Sequence, residues 1–324
     1  MLSGIQPTFQ LHLGNYLGAL RHWAREQDMY DNFFCIVDLH ALTAVPDPEV
    51  VRTSVLELAA LYIACGLDPD RSVLFVQSEV AAHAQLGWIL ECYTPLGWLE
   101  RMTQFKSKAG RERERAPAGL LTYPDLMAAD ILLYDADSVP VGDDQRQHVE
   151  LCRDIAQRMN SMRGDVFRIP EPLIRATGAR VMGLDDPTTK MSKSTALTKP
   201  AHAILLLDAP DVVKKKIGRA TTDTNPAVAE PLGPGVANLI DVYAALQNAT
   251  HDAALAELMG VNYGTLKGRV TDAINDALGP VQKRYAELRA DDPGLRDILA
   301  DAARRAAAVA DATLLRVQTA VGLR

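Results

Sequence analysis

Two short runs constrain this chain most. Phe33-Phe34-Cys35-Ile36-Val37 and Val73-Leu74-Phe75-Val76 are continuously apolar and rich in β-formers, without the alternation of a half-exposed strand. Such strands are buried on both faces, which a parallel sheet covered by helices achieves. The sequence between them supplies a helix. Asp47-Pro48-Glu49 reads as an N-cap, a proline at the first helical position and an acidic first turn. Val51, Val55, Leu58 and Tyr62 follow at helical spacing, and Gly66 stops the helix. Ala81 to Cys92 reads as the next helix. Further strand candidates are the start of Met1–Pro7, Val139-Pro140-Val141 and Ala179-Arg180-Val181-Met182. This rhythm predicts an α/β, doubly wound parallel sheet over residues 1–195. From about Ala201 alanine, leucine and charge dominate. Helical spacing recurs in Ile204 to Leu207, Val212 to Ile217, Leu239 to Leu246 and from Asp301 to the end, with turns at Gly233-Pro234-Gly235 and Gly279-Pro280. Residues 196–324 are expected to form an all-helical second domain.

Composition excludes several classes. No apolar run approaches the ~18 residues of a membrane span. The N-terminus carries no basic leader followed by an apolar core, so a cytoplasmic location is expected. Cys35, Cys65, Cys92 and Cys152 are scattered without C-x-x-C spacing, which disfavours a zinc or iron–sulfur site. Net charge is −7, not the footprint of a general nucleic-acid binder, though a local basic patch could still meet RNA. Lys106 to Arg115 holds five basic and two acidic residues and reads as a solvated loop or a phosphate or RNA contact. Lys214-Lys215-Lys216 reads as a solvated helix face with the same second option.

Lys190-Met191-Ser192-Lys193-Ser194 carries the strongest chemical signal. Two ammoniums three positions apart, with hydroxyls between and beside them, suit a polyphosphate whose charge grows as a bond to phosphorus breaks. Asp185 to Thr189 precede the run without apolar periodicity, so an exposed loop is expected. Near the N-terminus, His12-Leu13-Gly14-Asn15 follows a short strand and opens a helix, a ready phosphate site. Asp38-Leu39-His40 ends a buried strand, where α/β proteins bind ligands. Tyr123, Met127 and Asp130 share one face of a helix expected to open at Pro124. A carboxylate on that stripe is costly without a donor, either an interhelical arginine or a ligand N–H. In Gly142-Asp143-Asp144-Gln145, an aspartate can be an N-cap or accept from a ribose hydroxyl.

The pentapeptide matches the second signature of the class I aminoacyl-tRNA synthetases, and His12–Asn15 resembles the first with asparagine in place of the last histidine. Over its whole length the chain resembles the bacterial tryptophanyl-tRNA synthetase family. The carriers are Ser3–Pro7, His12–Tyr16, Met127–Tyr134, Val139–Gln145 and Lys190–Ser194. The resemblance implies a Rossmann-like catalytic domain, residues 1–195, and a tRNA anticodon-binding helical domain, residues 196–324. It implies ATP with Mg2+ as the substrate complex, L-tryptophan and tRNA(Trp) as partners, a homodimer, and no structural metal. Catalysis would fall to Lys190, Lys193, Ser192, His12 and Gln6. ATP would lie against Gln6, Pro7, Thr8, His12, Gly14, Asn15, Gly142, Asp143, Asp144, Val181, Lys190, Met191, Ser192, Lys193 and Ser194. Tryptophan would meet Asp130, Tyr123, Gln145, His40, Met127, Val139, Val141 and Gly4, with Asp130 accepting from the indole N–H. Lys106 and Lys108 would approach the pyrophosphate. Two departures stand out: Leu2 occupies the place of an aromatic lid, and His12 stands where some relatives carry threonine. Archaeal-type tyrosyl-tRNA synthetases share the pentapeptide and a pocket aspartate. A non-charging paralogue and a small nucleotidyltransferase are further alternatives.

Overall fold

The computed structural model describes every residue except 8–10, 111–112, 141, 143–144 and 174–180, and leaves out the side chains of 108, 109 and 113. β1 (Leu2–Ile5) leads into α1 (Leu13–Asn15), a wide π turn over Tyr16–Leu20, and α2 (Arg21–Glu26). β2 (Asn32–Ile36), α3 (Asp38–Ala41), α4 (Pro48–Ala64) and β3 (Ser72–Val76) follow. β1, β2 and β3 are parallel neighbours, with Gly4 opposite Cys35 and Cys35 opposite Phe75. Phe34, Cys35, Ile36 and Phe75 are fully buried, as uninterrupted apolar runs require. Asp47 caps α4, its carboxylate accepting from the Glu49 N–H at 2.8 Å. Gly66 ends the helix at φ +104°, where a side chain would be strained.

α5 (Ala82–Tyr93), α6 (Leu96–Glu100), α7 (Thr103–Ala109) and α8 (Ala118–Leu132) lead to β4 (Ser138–Pro140). α9 (Arg146–Arg163) and β5 (Glu171–Leu173) complete a second, two-stranded parallel pair. β4 lies beside β1. The chain thus winds from β1 through β2 to β3, then returns to the other side of β1. That reversal is a topological switch point, where open α/β sheets hold ligands.

The rest is α10 (Lys193–Thr198), α11 (Pro210–Gly218), α12 (Pro234–Gln247), α13 (His251–Leu258), α14 (Tyr263–Arg289) and α15 (Asp292–Val321). The core does not break at residue 195. α14 packs on α4, and α15 packs on β3 and α5. One apolar cluster joins Leu61 to Ile274, and another joins Phe75 and Leu86 to Ala306 and Leu314.

Several expectations need correction. α8 begins at Ala118, so Pro124 lies inside it, buried, and the helix continues despite a lost backbone bond. Pro280 likewise sits within α14 and marks no turn, while Pro234 opens α12. Ile204–Leu207 is not helical. Leu13 N–H donates to the Ile204 carbonyl and Leu206 N–H to the Leu11 carbonyl, so this run pairs with the first signature as an antiparallel strand would. The first part of Lys106–Arg115 is helical, held by buried Met102 and Phe105. Lys216 is no solvated cation: it donates to Asp208 at 2.6 Å and to the Ala203 carbonyl at 2.9 Å. Of Ala179–Met182, residues 179–180 lie outside the described residues, and Met182 bridges antiparallel to Lys190 rather than extending the sheet. Among the described residues, no helix is long and apolar enough to cross a membrane.

Candidate active site

The switch point opens a cavity of about 480 Å³ between the carboxyl ends of β1 and β4 and the face of α8. Of the residues expected from sequence, Gly4, Gln6, His40, Tyr123, Met127 and Asp130 line it, as do Val139, Gly142, Gln145 and Lys193. Leu2, which stands in the place of an aromatic lid, lines it too, as do Ser3, Ile131 and Gln104, which sequence reasoning assigned to no ligand. Thr8, Val141, Asp143 and Asp144 lie outside the described residues, as does the side chain of Lys108.

Asp130 forms one wall. It is 3 % exposed, and the arginine weighed as its partner is replaced by other donors. Gln77 Nε2 donates to Oδ1 at 2.6 Å, and His83 Nδ1 lies 2.6 Å from the same oxygen. His40 Nε2 lies 2.8 Å from Oδ2. Burial alone would push the carboxyl up, but His40 and His83 hold it below the usual carboxylate range. With His83 Nδ1 turned to Asp130, its Nε2 accepts from the Tyr134 hydroxyl at 2.8 Å. Gln77 and His83 were missed by sequence reasoning. Gln77 directly follows β3, so the strand-end rule that singled out His40 covers it equally. His83 carried no signal of its own. Tyr123 packs edge-on to His40 and its hydroxyl lies 2.7 Å from His148 Nε2, with burial pushing the phenol up to about 12.

The phosphate-type residues gather around the other end. His12, 5 % exposed, caps α1 at the amino end of the π turn, a distortion common at functional sites. Asn15 Oδ1 accepts its backbone N–H at 3.1 Å. Burial, then Lys193, Lys190 and His202, lower its imidazole to about 4, so the ring is neutral at pH 7. His12 Nδ1 is buried without a hydrogen-bond partner among the described residues. A Cβ on Gly14 would sit 3.0 Å from that ring and 3.6 Å from Val181, so glycine keeps the three in register. Pro7 is buried just past β1.

The lysine pentapeptide is only partly a loop. Val181–Gly183 and Thr189–Met191 pair as a tight hairpin, with Met191 N–H donating to the Val181 carbonyl at 3.0 Å. Met191 is a core anchor at 2 % exposure, while Lys190 and Ser194 are exposed. Ser192 caps α10, its Oγ accepting from Thr195 N–H and donating to Thr195 Oγ1 at 2.7 Å. Lys193 therefore begins a helix and is half-buried at the cavity, where burial lowers its ammonium to about 8. One cavity thus carries an anionic, acceptor-only wall and a cationic rim.

Residues 1–279 match the family described as class I tRNA synthetases for W and Y. The chain belongs to that family. Among curated relatives, the tryptophan–tRNA ligase of Thermosynechococcus vestitus is 51 % identical over 99 % of both chains. That of Wolinella succinogenes is 48 % identical over 100 % of this chain and 98 % of its own. Among solved structures, the Campylobacter jejuni tryptophanyl-tRNA synthetase complexed with ADP and tryptophan superposes with a TM-score of 0.85 at 33 % identity, covering 99 % of each chain. The Mycoplasma pneumoniae tryptophanyl-tRNA synthetase gives 0.86 at 36 % identity over 100 % and 97 %. The parallel-sheet core and the helical second half are therefore a family architecture.

Proposed function

We propose that this enzyme activates L-tryptophan with ATP to tryptophanyl-adenylate and pyrophosphate, then transfers the tryptophanyl group to tRNA(Trp). The observation that carries the reading is that Asp130 and Lys193 line one and the same cavity. The indole fills the apolar part against Met127, Val139 and Ile131, with Gly4 and His40 beside it, and its N–H reaches Asp130 Oδ2. Tyr123 and Gln145 meet the amino group. ATP, taken with Mg2+ as its substrate complex, spans Gln6–Thr8, His12, Gly14–Asn15, Gly142–Asp144 and Val181 to the lysine loop. Among the described residues, no cluster of three or more His, Cys, Asp or Glu side chains is placed to hold a metal.

The tryptophan carboxylate attacks the α-phosphorus, the bond to the bridging oxygen breaks, and pyrophosphate leaves with the electron pair. The chain's own groups hold the two reactants in line and stabilise the departing charge through Lys190 and Lys193. Neutral His12 offers a hydrogen bond without adding charge, and Ser192 fixes the start of the helix that carries Lys193. The helices beyond residue 196 are assigned to the tRNA. We further assign a homodimer working in the cytoplasm, with Trp88 and Leu96, 67 % and 61 % exposed, at the contact.

Pyrophosphate exchange tests the reading. ATP should incorporate labelled pyrophosphate with tryptophan and not with tyrosine, and tRNA(Trp) should then be charged. Exchange driven better by tyrosine, or by neither, would overturn it.

A further inference from the structure

His202 has no place in either class I signature, yet it touches both the second signature and the turn that precedes it. It sits on a short turn, Pro200–His202, that brings the chain back over the pentapeptide just after α10. Its side chain is 1 % exposed. Nδ1 lies 2.6 Å from Asp185 Oδ1, and Nε2 lies 3.2 Å from the carbonyl oxygen of Lys190. Both partners are acceptors at the two ends of one hairpin, so a neutral ring donates to one of them and an imidazolium to both; the ring sits between the first residue of the turn and the first residue of the signature. The His202 carbonyl in turn accepts from Leu184 N–H at 3.1 Å.

The sequence makes room for this ring. A Cβ on Gly183 would lie 2.2 Å from His202 Cε1 and 2.5 Å from Nδ1, closer than any side chain could stay. Gly183 N–H meanwhile donates to the Thr189 carbonyl at 2.8 Å, so it is the hairpin strand itself that the ring covers. The bond to residue 190 is made to its main chain and leaves the Lys190 ammonium exposed. Three residues on, Lys193 starts α10 at the cavity, so the ring fixes the backbone from which both ammoniums project.

We propose that His202 is a positioning residue for activation: with Asp185 and Gly183 it locks the 183–190 hairpin in the geometry that delivers Lys190 and Lys193 to the polyphosphate. This rests on the function proposed above. A chain without tryptophan-dependent exchange would refute that function, whereas an active chain indifferent to His202 refutes only the lock.

The test uses the full-length enzyme and His202→Ala, His202→Asn, Asp185→Ala, Gly183→Ala and the His202→Ala/Asp185→Ala pair. Pyrophosphate-exchange rates are normalised to active sites counted by the burst of adenylate, beside the KM for tryptophan and a melting curve. His202→Ala should lower kcat about tenfold or more, the scale of a misplaced catalytic group, with the tryptophan KM unchanged. His202→Asn, which keeps a donor near the Nδ1 position, should recover part of the rate. Gly183→Ala should reproduce the loss by expelling the ring. The double variant should be little worse than His202→Ala, because Asp185 acts through the same lock. An unaltered kcat in folded His202→Ala, strictly additive losses in the pair, or a loss shared equally by kcat, tryptophan KM and melting temperature would each overturn the proposal. Should His202→Ala fail to fold, the Asn and Gly183 variants decide on the same readouts.

Discussion

Binding of ATP should draw a proton onto Lys193. Burial lowers this ammonium from 10.5 to about 8 in the ligand-free cavity. A polyphosphate favours the charged form, so the neutral fraction must protonate as the ligand arrives. That fraction is roughly 0.1 at pH 7, 0.5 at pH 8 and 0.9 at pH 9. His12, held near 4, stays neutral throughout and contributes nothing to the change. The assay is calorimetric titration with ATP at each pH in two buffers of different ionisation enthalpy. The slope of enthalpy against buffer enthalpy counts the protons. Apparent affinity should weaken toward ~10-fold per pH unit above 8. Lys193→Met should flatten both dependences and, with the ammonium assigned above to the departing pyrophosphate, lower the activation kcat by about 100-fold or more. The sign for folding is opposite to that for binding. Between pH 8 and 10.5 the unfolded chain holds a proton on Lys193 that the folded chain lacks, so ligand-free stability rises with pH across that window. Equal proton uptake by the wild type and Lys193→Met would refute the placement of this lysine at the phosphates.

Asp130→Asn should lose roughly 3–5 kcal/mol of stability in denaturant titration, because an amide sets its own N–H groups against Gln77, His40 and His83. Tryptophan affinity should fall with it, and a variant of full stability would refute the network. Tryptophan methylated at the indole nitrogen should bind about 10- to 100-fold more weakly than tryptophan, the loss expected for one buried hydrogen bond. Asp125 is buried, accepts from Thr94 Oγ1 at 2.7 Å, and has a second oxygen without a hydrogen-bond partner among the described residues. Burial raises it to about 6, so its contribution improves as pH falls from 6 to 3.8; Asp125→Asn should raise the melting temperature at pH 7 and make no difference below pH 4. With a net charge of −7, the salt dependence of tRNA affinity should be shallow for so large a ligand, which a filter-binding series at rising salt will measure.

What the sequence revealed follows from the range of the forces involved. Phe33–Val37 and Val73–Val76 announce buried strands because burial on both faces leaves no room for alternation, and the Asp47 cap is a contact over two residues. The pairing of His12 with Leu205 spans the chain and has no local signature, so Ile204–Leu207 looks helical when its apolar residues serve an extended pairing. Pro280 misleads for the opposite reason: a long helix packed on its neighbours survives one missing N–H that would end a short one. In the site, Asp130, Met127 and Tyr123 were legible because helical spacing alone puts them on one face. His83 and Gln77 reach Asp130 from other elements, and His202 reaches the hairpin from beyond the signature it supports. Such partners are fixed by the fold.

The donors around Asp130 also bear on which amino acid the cavity prefers. Three of them already face the carboxylate, two on Oδ1 and one on Oδ2, and His40 and His83 keep it charged. A charged carboxylate can accept but has nothing to donate. An indole N–H suits it fully, since that nitrogen donates one bond and has no lone pair in need of another. A phenol O–H could also donate, but its oxygen keeps lone pairs that require a donor in return. Among the residues that line the cavity, Met127, Ile131 and Val139 supply none, and the donors of Gln77, His40 and His83 are turned to Asp130. A polar group left unpaired in such a place costs roughly 1–3 kcal/mol. The network therefore does two things at once: it makes a buried negative charge tolerable, and by using the nearby donors it leaves a site suited to a ligand that only gives.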